Sequence, residues 1–281
     1  MRNIFFFTFI VSFFVACTSN DAKVDVKESE SHYKLGLEFA QLSLYKNALE
    51  EFDLAIKFNP ENSKIYRKKG LVLFGMTRYD DAQANFEKAI KLDPQDTQAH
   101  INRGMVHYAS GNKKQALIDW EKAVALKNDD NDGKALNNIG NIYKAENDLN
   151  KAIQYYKRAI TFEPGNTTFL NNLGDTYRLT GNLEEAEAIL QKSLNIDTNG
   201  MLTQFNLGVL YKTKGEISKA IQSFQKSLEV NPQYLEAYYQ LATTHLKTEN
   251  KESAKLLLEK ALQVDPKNKK FKELYDQVIA S

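Results

Sequence analysis

The sequence predicts an all-α fold, a solenoid of seven helix-turn-helix units closed by a C-terminal capping helix, and three periodicities predict it. Glycine recurs at Gly36, Gly70, Gly104, Gly140, Gly174 and Gly208, at intervals of 34, 34, 36, 34 and 34 residues, and 34 further on the matching position holds Ala242. Alanine keeps the same step at Ala48, Ala82, Ala116, Ala152, Ala186, Ala220 and Ala254. All five prolines, Pro60, Pro94, Pro164, Pro232 and Pro266, fall at one repeat position, five residues after a small side chain. Self-similarity at a fixed period of this length is the mark of stacked supersecondary units.

The chain begins with an address. Met1 to Asn3 is a short basic start, and Ile4 to Ala16 is apolar except for Thr8 and Ser12. Thirteen residues cover about 20 Å as a helix, short of the roughly 30 Å hydrocarbon core of a bilayer. Residues 1–16 are therefore expected to be a secretory signal peptide. The run Phe14-Val15-Ala16-Cys17 resembles the lipobox of bacterial lipoproteins, with Phe14 where that family prefers leucine. The resemblance implies cleavage before Cys17, the one cysteine in the chain, and its acylation. Several acyl chains, each contributing about 0.8 kcal/mol per buried CH₂, make a stable anchor. Thr18 rather than aspartate follows Cys17, which by the same resemblance implies an outer-membrane lipoprotein facing the periplasm; a periplasmic or surface-exposed protein is the alternative. Residues 17–28 are polar without apolar periodicity and are expected to form a tether, of which Thr18 to Glu28 reaches at most about 36 to 40 Å.

From residue 29 one unit repeats, over 29–62, 63–96, 97–130, 133–166, 167–200, 201–234 and 235–268, with Asn131 and Asp132 inserted between the third and fourth. Four residues after each repeating alanine stands a bulky apolar side chain: Phe52, Phe86, Trp120, Tyr156, Leu190, Phe224 or Leu258. Three further on is a small one, alanine or serine. In the fourth unit Leu136, Ile139, Gly140 and Tyr143, then Ala152, Tyr156, Ala159 and Ile160, mark two amphipathic helices. The polar break Glu146-Asn147-Asp148 divides them and Pro164 closes the second. Small residues at the eighth position of helix A and the third of helix B let the helices cross closely, and the bulky side chain fills the space beside the crossing. A single hairpin cannot cover its own apolar faces, so each stacks on the next. Residues 269–281 supply the terminal cover, with Phe271, Leu274, Tyr275 and Val278 on one face.

These residues resemble the tetratricopeptide repeat over 29–268. Asn128 and Thr198 replace the closing proline and Ala242 the glycine. The resemblance implies a right-handed superhelix lined on its inner wall by the A-helices, with positions 2, 5, 6, 9, 12 and 13 of each unit at the groove, and the function it implies is a protein–protein interaction scaffold.

Position 6 reads Lys34, Lys68, Asn102, Asn138, Asn172, Asn206 and Gln240. A carboxamide offers both a donor and an acceptor and so can pair with a peptide unit of an extended chain. The series resembles the asparagine ladder in the repeat domain of O-linked N-acetylglucosamine transferases, whose catalytic domain has no counterpart here. Asn137, Asn141, Asn171, Asp175 and Arg178 extend the polar patch in units four and five. The lysine–asparagine constellation of carboxylate-clamp repeats is not met by any triplet of units, although Lys34, Lys64, Arg67 and Lys68 make a basic stretch at the N-terminal end.

Catalysis is not expected. His107 and His245 occupy the eleventh repeat position, held by Tyr143, Tyr177 and Tyr211 elsewhere, and read as packed substitutes for tyrosine. His100 and His107 share a face without a third ligand nearby in sequence, so neither a metal nor another cofactor is expected. With 37 basic and 36 acidic residues the chain is close to neutral, which excludes the bulk positive field of nonspecific nucleic-acid binders. The partner expected is another envelope protein or a peptide segment of one, beside the membrane reached through the lipid. The alternatives are a substrate-recruiting part of an envelope or glycosyl-transfer enzyme system and a cytosolic adaptor. The oligomeric state is not legible.

Overall fold

The computed structural model describes residues 24–126 and 132–280. The signal peptide, Cys17 and the tether up to residue 23 lie outside the described residues. Seven antiparallel helical pairs follow one another: α1 (Val26–Gln41) with α2 (Tyr45–Phe58), α3 (Ser63–Gly75) with α4 (Tyr79–Leu92), α5 (Thr97–Ala109) with α6 (Lys113–Leu126), α7 (Asp132–Ala145) with α8 (Leu149–Phe162), α9 (Thr167–Leu179) with α10 (Leu183–Ile196), α11 (Met201–Lys214) with α12 (Ile217–Val230), and α13 (Leu235–Lys247) with α14 (Lys251–Val264). The single helix α15 (Lys269–Ala280) closes the stack. This is the expected α-solenoid with its cap. One boundary differs: Asp25 accepts a hydrogen bond from the Glu28 backbone N–H and so starts α1 at Val26, inside the segment expected to be tether. The cap gains its hold because the Asp25 N–H also donates to the Phe58 carbonyl at 3.1 Å, tying the entry of the chain to the end of α2.

The crossing inside each hairpin is tight enough to exclude a side chain. A Cβ added at Gly140 would stand 2.7 Å from the Tyr156 ring, one at Gly36 2.7 Å from Phe52, and one at Gly208 2.5 Å from Phe224. Phe52, Phe86, Tyr156, Leu190, Phe224 and Leu258 are fully buried, as are the seven alanines that stand fourth in each helix B. The last unit keeps the crossing with Ala242 opposite the smaller Leu258.

Between the two helices of every unit the chain turns through one left-handed residue, at Ser43, Thr77, Gly111, Asn147, Gly181, Gly215 and Glu249, all with φ between 57° and 82°. The next residue's N–H donates back to the carbonyl five residues earlier at 2.8–3.0 Å, as Arg78 does to Leu73 and Asp148 does to Tyr143. This Schellman closure satisfies the orphan carbonyls at the end of helix A. Four of the seven are not glycine, and a β-branched Thr77 in this region carries about 1–2 kcal/mol of strain that the closure overcomes.

Successive A-helices touch across the stack, as α9 does α11 and α1 does α3, whereas successive B-helices are kept apart by the A-helices between them. The stack therefore curves with its A-helices on the inside. The contact between α5 and α7 is looser than between other neighbouring A-helices, at the junction where the two extra residues are inserted. Buried clusters run from hairpin to hairpin without a break, and the last joins Tyr238, Leu258 and Ala261 to Phe271 and Val278 of α15.

Replacing Gly140 by valine forces its side chain into the Tyr156 ring, and the overpacking is expected to cost about 2–3 kcal/mol in urea denaturation. Gly165→Ala, where an added Cβ meets nothing within 4 Å, is expected to stay within about 0.5 kcal/mol of the parent.

Candidate functional site: the concave wall

The inner wall is made by the A-helices, because the glycine face of each is spent on its own helix B and the opposite face is left to the groove. Along it the carboxamides expected as a ladder do not stand as equivalent rungs. Asn102 is 3% exposed and accepts a hydrogen bond from the Gln98 side chain at 3.0 Å. Asn137 and Asn171 are likewise buried, at 6% and 8% exposure. Asn171 donates to the Thr203 hydroxyl of the next unit at 3.0 Å. These three are correctly placed in the repeat but lie in the packing between units, because a side chain at this radius is covered by the following A-helix.

The polar patch of units four and five is a connected network. Asn172 Nδ2 donates to Asn137 Oδ1 at 2.8 Å and to Asn141 Oδ1 at 3.3 Å, and the buried Tyr156 hydroxyl donates to the same Asn141 oxygen at 2.7 Å. Burial pushes the Tyr156 hydroxyl well above its ordinary pKa, so it remains a donor. Asn138 and Asn206 make no side-chain hydrogen bond to a described residue. Gln240 accepts from Lys212 at 3.0 Å and donates to Glu236 at 2.9 Å. Of the position-6 series, Asn138 and Asn206 therefore keep their full hydrogen-bonding capacity for a ligand.

Charge on this wall is uneven. Asp175 accepts from Lys144 at 2.5 Å and from both Nε and a terminal nitrogen of Arg178 at 3.0 and 2.8 Å. Burial raises the Asp175 carboxyl, but Lys144 and Arg178 outweigh it and hold its pKa below the usual value. Lys68 is pushed down by burial and by its neighbour Arg67, which is itself engaged with Asp96 at 2.8 Å. Lys212 is pushed down by burial and by Lys247, against the pull of Glu236. Lys144 and Lys212 were not singled out in the sequence; reading the twelfth position down the units, Phe74, Tyr108, Lys144, Arg178 and Lys212, reveals them. A cavity of about 210 Å³ opens on the wall among Phe74, Met105, Tyr108, Ala109, Trp120, Asn138 and Asn141.

Models of the tetratricopeptide repeat match residues 29–62, 67–135, 133–166, 166–233 and 213–278, and so nearly the whole described chain. The chain belongs to the tetratricopeptide repeat family. Two of the matched spans, 29–62 and 133–166, coincide with units read from the sequence. No curated protein is a match. Among solved structures, the APC/C hetero-tetramer Cut9-Hcn1 is 17% identical with a TM-score of 0.70 over 89% of this chain and 46% of that one, so this chain spans less than half its length. A tetratricopeptide repeat protein from Parabacteroides merdae is 18% identical with a TM-score of 0.68, covering 90% of this chain and 99% of that one. YrrB, described as a tetratricopeptide repeat protein with an unusual peptide-binding site, is 23% identical with a TM-score of 0.52 over 67% and 96%. At these identities the likeness is one of fold.

The tetratricopeptide framework also places three of the four histidines, His32, His100 and His107, beside carboxylates. Asp119, which the sequence did not mark, is buried on α6 and binds Arg103 through two hydrogen bonds of 2.9 and 2.6 Å. His100 and His107 lie 4.0 and 3.7 Å from its oxygens. The His100 Nε2 sits 3.1 Å from the Pro94 carbonyl. Unit one repeats the motif with His32 at 2.6 Å from Glu51, the same pair of repeat positions. Among the described residues no group of three or more histidine, cysteine, aspartate or glutamate side chains is arranged to hold a metal. The cluster is an ion-paired joint between α5 and α6.

Burial raises the Asp119 carboxyl, but Arg103 and the two histidines outweigh it and leave its pKa below the ordinary value. Its stabilising contribution is therefore present above the unfolded-state pKa and lost as the pH falls through the folded one. Asp119→Ala is expected to cost about 2–3 kcal/mol at neutral pH. In urea titrations the gap from the parent closes as the solution is acidified below about pH 4.

Proposed function

We propose that this chain is a non-catalytic interaction scaffold of the bacterial cell envelope, anchored through acylated Cys17 and facing the periplasm from the outer membrane, that holds a peptide segment of another envelope protein in its concave groove. The observation that carries the reading is the inner wall itself. It runs through seven units and combines uncommitted carboxamides at Asn138 and Asn206 with an open cavity between units three and four. Tetratricopeptide repeats serve in general as protein-binding surfaces, which supports a polypeptide ligand. The peptide-binding site named for YrrB is in line with it.

The address rests on the lipobox-like Phe14-Val15-Ala16-Cys17 and the apolar stretch before it. Among the described residues no helix is long and apolar enough to cross a membrane; attachment in this reading is through the lipid. Three of the four histidines support the non-catalytic part, since His32 lies beside Glu51 and His100 and His107 beside Asp119.

One experiment tests both parts. Cells growing on a labelled fatty acid express the full chain or its variants, and intact envelopes are crosslinked before capture. The parent is expected to carry label and to recover a partner. Cys17→Ser loses the label, and the triple variant Asn138→Ala, Asn172→Ala, Asn206→Ala keeps the label and its helical content yet loses the partner. Label surviving in Cys17→Ser refutes the anchor, and undiminished capture by the triple variant refutes the carboxamide wall as the binding surface.

A further inference from the structure

The groove's two halves differ in chemistry, and the difference specifies a ligand. In units one to three the ninth and twelfth positions are apolar: Leu37, Leu71, Phe74, Met105 and Tyr108. In units four to six the twelfth position is a cation three times running, Lys144, Arg178 and Lys212. We infer that the groove takes an extended acidic polypeptide segment bearing one apolar anchor side chain, the anchor seated in the cavity between units three and four and the acids laid along Lys144, Arg178 and Lys212. The inference rests on the reading of the groove as the binding surface and adds the chemistry of its occupant.

The cavity fits the anchor. Its walls are Phe74, Met105, Tyr108 and Trp120, and Tyr108 is 41% exposed at the mouth, 5.9 Å from the Trp120 ring centroid. The Trp120 indole N–H is already spent on the Ile101 carbonyl at 3.0 Å, so the ring presents only apolar surface. A dry cavity of about 150 Å³ admits benzene, so about 210 Å³ suits a phenylalanine or leucine side chain. The polar rim is Asn138 and Asn141. Asn138 is uncommitted, and Asn141 uses only its oxygen, on Tyr156 and Asn172. Both can bond the backbone on either side of the anchor. The opening follows from the looser step between α5 and α7 where the repeat is two residues longer.

The cations fit the acids. On this stretch of wall Lys144 and Arg178 share one carboxylate, Asp175. Lys212 reaches only the neutral oxygens of Gln240 and Thr243. Its neighbour Glu236 is drawn to Gln240 and, at 3.8 Å, to Lys270 of the cap. Lys247 adds a further cation beside Lys212. A half-buried lysine held below its ordinary pKa without a carboxylate partner regains free energy when an anion approaches. The chain as a whole is nearly neutral, so the excess is a local feature of this stretch rather than a bulk field. Adjacent A-helices lie about 10 Å apart, and a polyproline-type strand advances about 9 Å in three residues. Acids at every third residue therefore meet the three cations in turn.

The probe is a labelled peptide with one phenylalanine followed at every third residue by glutamate, three in all, with serine between, made in both chain directions and titrated onto the full chain by fluorescence anisotropy. Binding is expected in one direction. It should weaken at least tenfold when phenylalanine is replaced by alanine or the glutamates by glutamine, and fall with rising salt. Tyr108→Ser and Lys212→Gln are expected to lose at least tenfold, while Lys212→Arg, which keeps the charge, stays within about threefold. Equal binding of the glutamate and glutamine peptides, or unchanged affinity in Tyr108→Ser and Lys212→Gln, overturns the inference. Displacement of the peptide by an oligothymidylate of similar length at equal concentration also overturns it, in favour of a nucleic acid. If no peptide binds while the envelope partner is still captured through Asn138, Asn172 and Asn206, the occupant is wrong and the groove stands. If that capture fails too, the groove reading falls with it.

Discussion

Everything in this molecule depends on one steric contact repeated in each unit, the backbone of helix A pressed against a large side chain sixteen residues later. A Cβ at Gly70 would lie 2.7 Å from Phe86 and one at Gly174 2.7 Å from Leu190, closer than any side chain tolerates. The contact fixes which face of helix A meets helix B. By doing so it leaves the opposite face to its neighbours and the groove. Stacking then buries the remaining apolar surface between hairpins, and the direct approach of successive A-helices bends the stack inward. The groove is thus the geometric remainder of a packing rule.

That rule was written in the sequence as columns, and columns made of one residue type were legible. The glycines, the alanines and the prolines each mark a place where bulk or a backbone donor cannot be accommodated, and the structure puts them at crossings and just past helix ends. Columns of mixed type were not. The left-handed turn is held by glycine in three units and by serine, threonine, asparagine or glutamate in the others. The requirement is met by the closure of helix A rather than by residue choice, so it left no uniform mark. The start of α1 was misplaced for a related reason: a single aspartate, Asp25, caps it before the first repeat begins.

The candidate site was legible in outline and not in detail. A column position says that a side chain points inward, not whether the next unit covers it. Asn102, Asn137 and Asn171 satisfy the first condition and are covered, while Asn138 and Asn206 remain open. The cavity was invisible because it belongs to a junction, where α5 and α7 touch less than other neighbouring A-helices and Phe74, Met105 and Tyr108 line one gap with Asn138. Asp119 was invisible because its three partners on α5, Arg103, His100 and His107, belong to columns of mixed residue type. The regular part of the fold is periodic and readable. The cavity lies where the period breaks.

The central claim is that ligand contacts the A-helix wall and not the outer face of the B-helices. A photo-crosslinking residue placed at Tyr108, on the inner wall, or at Ile118, 55% exposed on α6, distinguishes the two within one repeat. Crosslinks to a bound partner from position 108 and none from position 118 are the predicted result. Crosslinks from position 118 alone would contradict the account.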